Sequence, residues 1–328
     1  MSVVKEHKEP LVMAWVGRDT PLRGDSQMAI GLAKLCAEMT GGRYVYVDEP
    51  MLKENFPKAK DYAEMESLAA KKFGTPDILI GNSEAAIACS AYFKGGPQIE
   101  CTHIGETISR RYCQHGMVPH NVNDKVLAEE KQKFQAHYPQ IKGPLVAVMV
   151  ASYQCMQTDM IRDLQRIAEN YDDITFVFCP NRRAKTDARD LASQMRYDLK
   201  TVFSNNTLKG YVRHLMKSTK ARIIDVDYKQ IENGYNPYLG LLASADHIIV
   251  SGHSYSMVSD ALYMGKTVYI DWHREDYDKL IEDKHIVMAY ELKKHETFPT
   301  VSKPRLDATR DVASYIASQY TAGRKVVL

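Results

Sequence analysis

The sequence predicts an α/β protein made of two open, parallel-sheet, Rossmann-like domains, and three observations carry that expectation. Short apolar runs alternate with helical patterns along nearly the whole chain, as they do in parallel sheets covered by helices. The leading runs, LVMAWV at 11–16 and LVAVMV at 145–150, are continuously apolar, which is how strands buried on both faces look. Near mid-chain a Pro/Gly-bearing stretch, His137-Tyr138-Pro139-Gln140-Ile141-Lys142-Gly143-Pro144, has the composition of a linker, and the alternation restarts after it.

The elements follow in order. Residues 11–16 form a strand, 26–39 a helix stopped at Gly41-Gly42, 44–47 a strand, and 59–72 a polar amphipathic helix. A strand at 77–80 follows Gly74-Thr75-Pro76. A helix over 83–93, a strand over 98–102 and a helix over 123–134 complete a first domain of residues 1–140. The second, 141–328, opens with the strand 145–150. Then come a helix at 158–170, a strand at 174–178, helices at 186–195 and 208–216, and a strand at 222–226. A terminal helix spans 308–319.

Composition bounds the function. The chain has 328 residues, 45% hydrophobic and 26% charged, enough for two ordinary domains each with its own core. With 43 Lys+Arg against 41 Asp+Glu the net charge is only +2, which excludes the global basic field of nonspecific nucleic-acid binders. The start, MSVVKEHKEP, lacks the apolar core of a signal peptide, and no apolar run reaches membrane-span length. The expected location is the cytoplasm, with at most a peripheral association at a membrane. Six scattered cysteines show no disulfide framework. Cys101, His103, Cys113, His115 and His120 offer soft and imidazole ligands, but without a Cys-x-x-Cys step, and no metal site is expected.

The richest stretch is 236–270. After Ala245-Asp246 the run His247-Ile248-Ile249-Val250 has strand character, and Ser251-Gly252-His253-Ser254-Tyr255 is too polar to continue it. From Ser256, apolar Met257, Val258, Ala261, Leu262 and Met264 recur at helical spacing until Gly265, and 267–270 is again a strand. A loop that leaves a strand and opens a helix presents backbone N–H groups and a positive dipole end, which suits phosphate. The plainer reading is that Ser254 or Ser256 caps the helix and Asp260 compensates its dipole.

The stretches Asn236-Pro237-Tyr238, Ala245-Asp246, Ser254-Tyr255-Ser256-Met257-Val258-Ser259-Asp260-Ala261 and Gly265-Lys266-Thr267-Val268 resemble the C-terminal hallmark of the elongated-mitochondria (mitochondrial fission ELM) family of glycosyltransferase-like proteins. Asn181-Arg182-Arg183-Ala184, after the 174–178 strand, is similar to the family's Ser-Arg-Arg-Thr-Pro. Gly17, Gly24, Gln27 and Gly31-Leu32-Ala33 are similar to its N-terminal glycine motif. The chain departs from the pattern in several places. Asp260 stands where the family has Glu, Thr267 where it has Pro, and Ala184-Lys185 where it has Thr-Pro; the first glycine spacing is longer, and Ala151-Ser152-Tyr153-Gln154 lacks the family's glycines. It looks like a divergent member.

The resemblance implies a GT-B fold, two Rossmann-like domains facing across a cleft, with the acceptor on the first domain, a nucleotide-sugar donor on the second, and the terminal helix, 308–319, crossing back onto the first domain. Arg182 and Arg183 would hold the donor diphosphate in bidentate contacts, unless they are a solvated loop. Ser254, Ser256 and the N–H groups of Met257 and Val258 would complete the cradle, and Asp260 would accept from ribose hydroxyls. A catalytic base is expected in strand-end loops of the first domain: Asp25 or Glu106, with Asp19 and His103 as alternatives. No cofactor is expected beyond the donor substrate. Asp225-Val226-Asp227 has the Asp-x-Asp spelling of metal-dependent GT-A enzymes, but two letters at a strand end do not imply a metal. Three function classes follow. The first is transfer of a sugar to a hydroxyl of a glycan or lipid-linked acceptor, in cell-envelope or surface-glycan synthesis. The second is epimerisation or hydrolysis of the nucleotide sugar, and the third a noncatalytic adaptor related to mitochondrial-fission factors.

Overall fold

The computed structural model describes residues 9–17, 24–81, 89–93, 95–101, 117–151, 158–181, 221–251, 253–299 and 302–328. Contacts divide the chain into two compact units, Met1–Asn121 with Asp307–Leu328, and Val122–Leu306.

Among the described residues the first unit holds five parallel strands: β1 (Leu11–Trp15), β2 (Arg43–Val47), β3 (Ile78–Ile80), β4 (Ile99–Cys101) and β11 (Val326–Val327), in the sheet order β11-β4-β3-β1-β2. Its helices are α1 (Gly24–Thr40), α2 (Glu49–Asn55), α3 (Tyr62–Phe73) and α10 (Ala308–Thr321). β1 is buried along its whole length, as its unbroken apolar run requires. Trp15 packs edge-to-face on Phe93 at 6.0 Å, over Met13, Val47, Leu52 and Leu79. Asp48 and Asp61 cap α2 and α3 by accepting the N–H groups of Met51 and Glu64. The end of the chain belongs to this unit: α10 packs on α1, and β11 pairs with β4.

Among the described residues the second unit holds six parallel strands, β5 (Leu145–Val150), β6 (Thr175–Pro180), β7 (Arg222–Asp225), β8 (His247–Ser251), β9 (Val268–Ile270) and β10 (Ile286–Met288). They run β10-β9-β8-β5-β6-β7 across the sheet. Around them lie α4 (Asp124–His137), α5 (Thr158–Ala168), α6 (Tyr228–Asn233), α7 (Tyr238–Ser244), α8 (Tyr255–Leu262) and α9 (Asp278–Glu282). Val146, Val148, Phe176, Ile249 and Tyr269 pack with Leu164 of α5 and with Phe298 in its core.

The division between units falls at Asn121 and Val122, not at the 140/141 position expected from composition. The reason is α4, which buries Leu127 and Phe134 and packs on α7. Gly240 of α7 lies so close beneath it that a Cβ there would sit 2.4 Å from the Glu130 carbonyl oxygen. The Pro/Gly stretch 137–144 is therefore a turn inside the second unit. The helices expected at 186–195 and 208–216 lie outside the described residues, as does most of 83–93, of which a short 3₁₀ turn, Ser90–Tyr92, is described.

Both units start with the same device. The Leu11 N–H donates to Asp77 Oδ2 at 2.7 Å while Asp77 N–H donates to the Leu11 carbonyl, and Leu145 and Asp246 repeat this, with the side-chain bond at 2.8 Å. Each aspartate thus ties the amino end of a central strand to the turn entering its neighbour. No helix among the described residues is long and apolar enough to cross a membrane.

Candidate functional site

Numbered along each unit, the second sheet runs 3-2-1-4-5-6 and the first 2-1-3-4-5. In such sheets the chain reverses its direction of winding at one point, and the crevice there, outside the carboxyl ends of the strands, is where ligands bind. In the second unit that point lies between β5 and β8, so the loop leaving β8 at Ser251 and entering α8 at Tyr255 occupies it. In the first unit it lies between β1 and β3. The segments leaving those strands begin at Val16-Gly17 and Gly81.

The β8–α8 loop is built by local bonds. Ser251 Oγ donates to Asp271 Oδ2 at 2.5 Å, joining the carboxyl end of β8 to that of β9. Ser254 is the N-cap of α8: its Oγ accepts the Met257 N–H at 3.4 Å and its carbonyl accepts the Val258 N–H at 3.1 Å. Ser256 Oγ lies 3.4 Å from Ser254 Oγ. The amides of Met257 and Val258, expected to face a phosphate, are thus engaged by the cap, and the Met257 side chain is buried. The N–H groups of Tyr255 and Ser256 are further first-turn donors that no helical carbonyl can reach, at the positive end of the helix.

Asp260 lies further along α8 and is half-buried. The Tyr238 hydroxyl donates to its Oδ2 at 2.7 Å. Burial pushes the Asp260 carboxyl up to about 7, and the bond from Tyr238 offsets part of that rise. The Tyr238 hydroxyl is itself raised well above its ordinary value, first by burial and then by Asp260. Asn236 Oδ1 accepts the Tyr238 N–H at 3.1 Å, so the Asn-Pro-Tyr motif opens α7 and holds the tyrosine against α8.

A second group stands on the same edge of the sheet. The rings of Trp272 and His253 lie 4.1 Å apart, and the Arg274 guanidinium sits 3.9 Å over the Tyr255 ring. Tyr255 also donates its hydroxyl to Asp276 and meets Tyr277 edge-on at 5.6 Å.

The opposite, amino edge of this sheet carries a cavity of about 560 Å³ lined by Asp246, His247, Lys266, Thr267, Tyr171 and Ser302. The Lys266 ammonium there donates to the Ala245 carbonyl at the end of α7, and burial lowers its pKa. Ala245, Asp246 and Lys266, all part of the motif, accordingly hold the fold together at the edge away from the β8–α8 loop.

Asp25 falls in the first turn of α1, its side chain outside the described atoms; Asp19, His103, Glu106, Arg182 and Arg183 lie outside the described residues. Asp227, of the Asp-x-Asp spelling, caps α6 by accepting the Lys229 N–H at 2.9 Å. Cys101 is buried, its thiol pushed up to about 12 by burial. His120 is buried too, its backbone N–H donating to Thr309 Oγ1 at 2.7 Å. Among the described residues no three His, Cys, Asp or Glu side chains gather as metal ligands. The residues that sequence patterns do not single out are Asp271 and Trp272, whose one signal is a polar and aromatic pair directly after a strand.

A family model described as mitochondrial fission ELM1 matches residues 103–320. Among solved structures, the fold is similar to that of a Neisseria meningitidis UDP-GlcNAc 2-epimerase determined with UDP-GlcNAc bound. The TM-score is 0.52 at 11% identity, over 95% of this chain and 100% of that one. It is also similar to another UDP-N-acetylglucosamine 2-epimerase, with a TM-score of 0.50 at 11% identity over 98% of each chain. No curated protein matches by sequence. At such identities the structural likeness speaks for the fold, two parallel-sheet units of GT-B type, while the family match covers well over half of the sequence. This chain belongs to the mitochondrial fission ELM1 family, as a divergent member with a GT-B fold.

Proposed function

We propose that the chain binds a nucleotide-activated sugar at the β8–α8 loop and transfers the sugar to a hydroxyl acceptor. The observation that carries this reading is the position of that loop at the winding reversal of the second sheet, opening an N-capped helix whose acid, Asp260, is held by a half-buried tyrosine. The leaving nucleoside diphosphate gains charge as the sugar bond breaks, and Arg182, Arg183, Ser254, Ser256 and the amino end of α8 would meet that charge. Asp260 would take the ribose hydroxyls. Asp25 or Glu106, with Asp19 and His103 as alternatives, would take the acceptor proton. The acceptor would be a glycan or lipid-linked hydroxyl, reached from the cytoplasm or peripherally at a membrane.

A second reading, epimerisation of the nucleotide sugar, is favoured by the two epimerases that align along the whole chain. A thermal-shift panel of nucleotides and nucleotide sugars separates the classes. Stabilisation by one nucleoside diphosphate, lost in Arg183→Ala, is expected, with donor consumed only when acceptor is present. Consumption without acceptor selects the epimerase or hydrolase, and no response to any nucleotide selects a noncatalytic adaptor.

A further inference from the structure

The chain has two tryptophans. Trp15 is fully buried in the first unit, whereas Trp272 is 43% exposed. A large aromatic side chain left in water at the ligand edge of a parallel sheet is a candidate contact surface. Trp272 is the second residue after β9, and β9 pairs directly with β8, so it leaves the sheet at the same edge as the β8–α8 loop. Within that loop its neighbour is His253, with ring centroids 4.1 Å apart and planes inclined at 56°.

The segment carrying Trp272 is fastened. Ser251 bonds Asp271, Arg274 covers the face of Tyr255, and Tyr255 bonds Asp276, so both residues flanking the loop's polar centre are tied to the β9 side. Desolvation, and then the nearby Arg274 charge, hold the His253 imidazole below its ordinary value. What the two loops present beside the amino end of α8 is an exposed indole with an imidazole against it, an aromatic surface of the kind on which a heteroaromatic ring stacks.

Resting on the nucleotide site proposed above, we infer that Trp272, backed by His253, is the surface on which the nucleobase of the ligand stacks, the diphosphate lying at the first turn of α8. Base stacking on an aromatic side chain accepts any base, so this pair supplies affinity, and discrimination between bases falls to polar groups around it.

The test uses the full chain, the four common nucleoside diphosphates, one nucleotide sugar and inorganic pyrophosphate, with binding read by calorimetry and by tryptophan emission. A bound nucleoside diphosphate should quench the Trp272 component and pyrophosphate should not. Trp272→Ala should weaken the nucleoside diphosphate about tenfold or more, as losing one base–aromatic stack does, and leave pyrophosphate binding unchanged. Trp272→Phe should keep most of the affinity while abolishing the quenching, since only buried Trp15 then emits. Unchanged nucleoside diphosphate affinity in Trp272→Ala overturns the inference but leaves the nucleotide site standing. Loss confined to the nucleotide sugar overturns it in favour of sugar stacking. Failure of every nucleotide to bind the unaltered chain overturns both.

Discussion

The Tyr238 hydroxyl and Asp260 Oδ2 lie 2.7 Å apart, joining two motifs 22 residues distant in the chain. The tyrosine of Asn-Pro-Tyr is thereby the partner that orients the acid of α8. The same bond keeps the carboxyl's pKa from rising further than it does.

Asp260 makes stability depend on pH. Its carboxyl titrates near 7 in the folded chain against 3.8 as the ordinary value, so between them the folded chain holds a proton that the unfolded chain has released. Stability from this group therefore falls as pH rises from about 4 to about 7 and levels off above. Comparing unfolding at about pH 5 and about pH 8, the unaltered chain should lose on the order of 1 kcal/mol more than Asp260→Asn does. The figure is well below what the full shift implies, because the carboxylate is only half-buried.

Ligand affinity should move the other way. An ionised carboxylate is the stronger acceptor for ribose hydroxyls, so nucleoside diphosphate affinity should rise as pH passes through about 7 and be flat in Asp260→Asn. Removing the phenol bond with Tyr238→Phe raises the carboxyl further and should shift that rise to higher pH, which calorimetry at a series of pH values reads directly.

Asp246 and Ser254 separate fold from site. Asp246→Ala removes a charge-assisted bond to the Leu145 N–H and should cost about 1.5–3 kcal/mol in denaturant unfolding with no change in nucleotide affinity. Ser254→Ala removes a helix cap, costs about 1 kcal/mol, and should also weaken nucleotide binding.

Gly31 has no room for a side chain. A Cβ on it would meet the His120 carbonyl oxygen at 2.0 Å, so Gly31→Ala forces α1 and the backbone at His120 and Asn121 apart. A loss of roughly 1–3 kcal/mol or more is expected in unfolding experiments.

The strands were legible because both faces of a parallel sheet are covered, so β1, β5 and β8 stand out as apolar runs. β11, with two residues, and β10, with three, are too short to carry a pattern, and α2, α6 and α9 are too short for a helical period. The unit boundary was misplaced because Pro139, Gly143 and Pro144 carry turn chemistry wherever a turn occurs, whereas nothing in the composition marks Asn121. Within the site, Ser254 and Asp260 were visible through their spacing on a helix. Tyr238 as the partner of Asp260, and Trp272 beside His253, arise from neighbouring elements brought together by the sheet, which no local pattern encodes. The split of the motif between the carboxyl and amino edges of the sheet, with Ala245, Asp246 and Lys266 on the latter, has the same origin.

Hydrogen exchange with and without a saturating nucleoside diphosphate tests the central claim most directly. Slowed exchange is predicted at the backbone amides of 253–257, where α8 begins at the winding reversal of the second sheet. Protection confined to residues 246–247 and 265–267, around the cavity on the amino edge, or protection nowhere in the second unit, would contradict it.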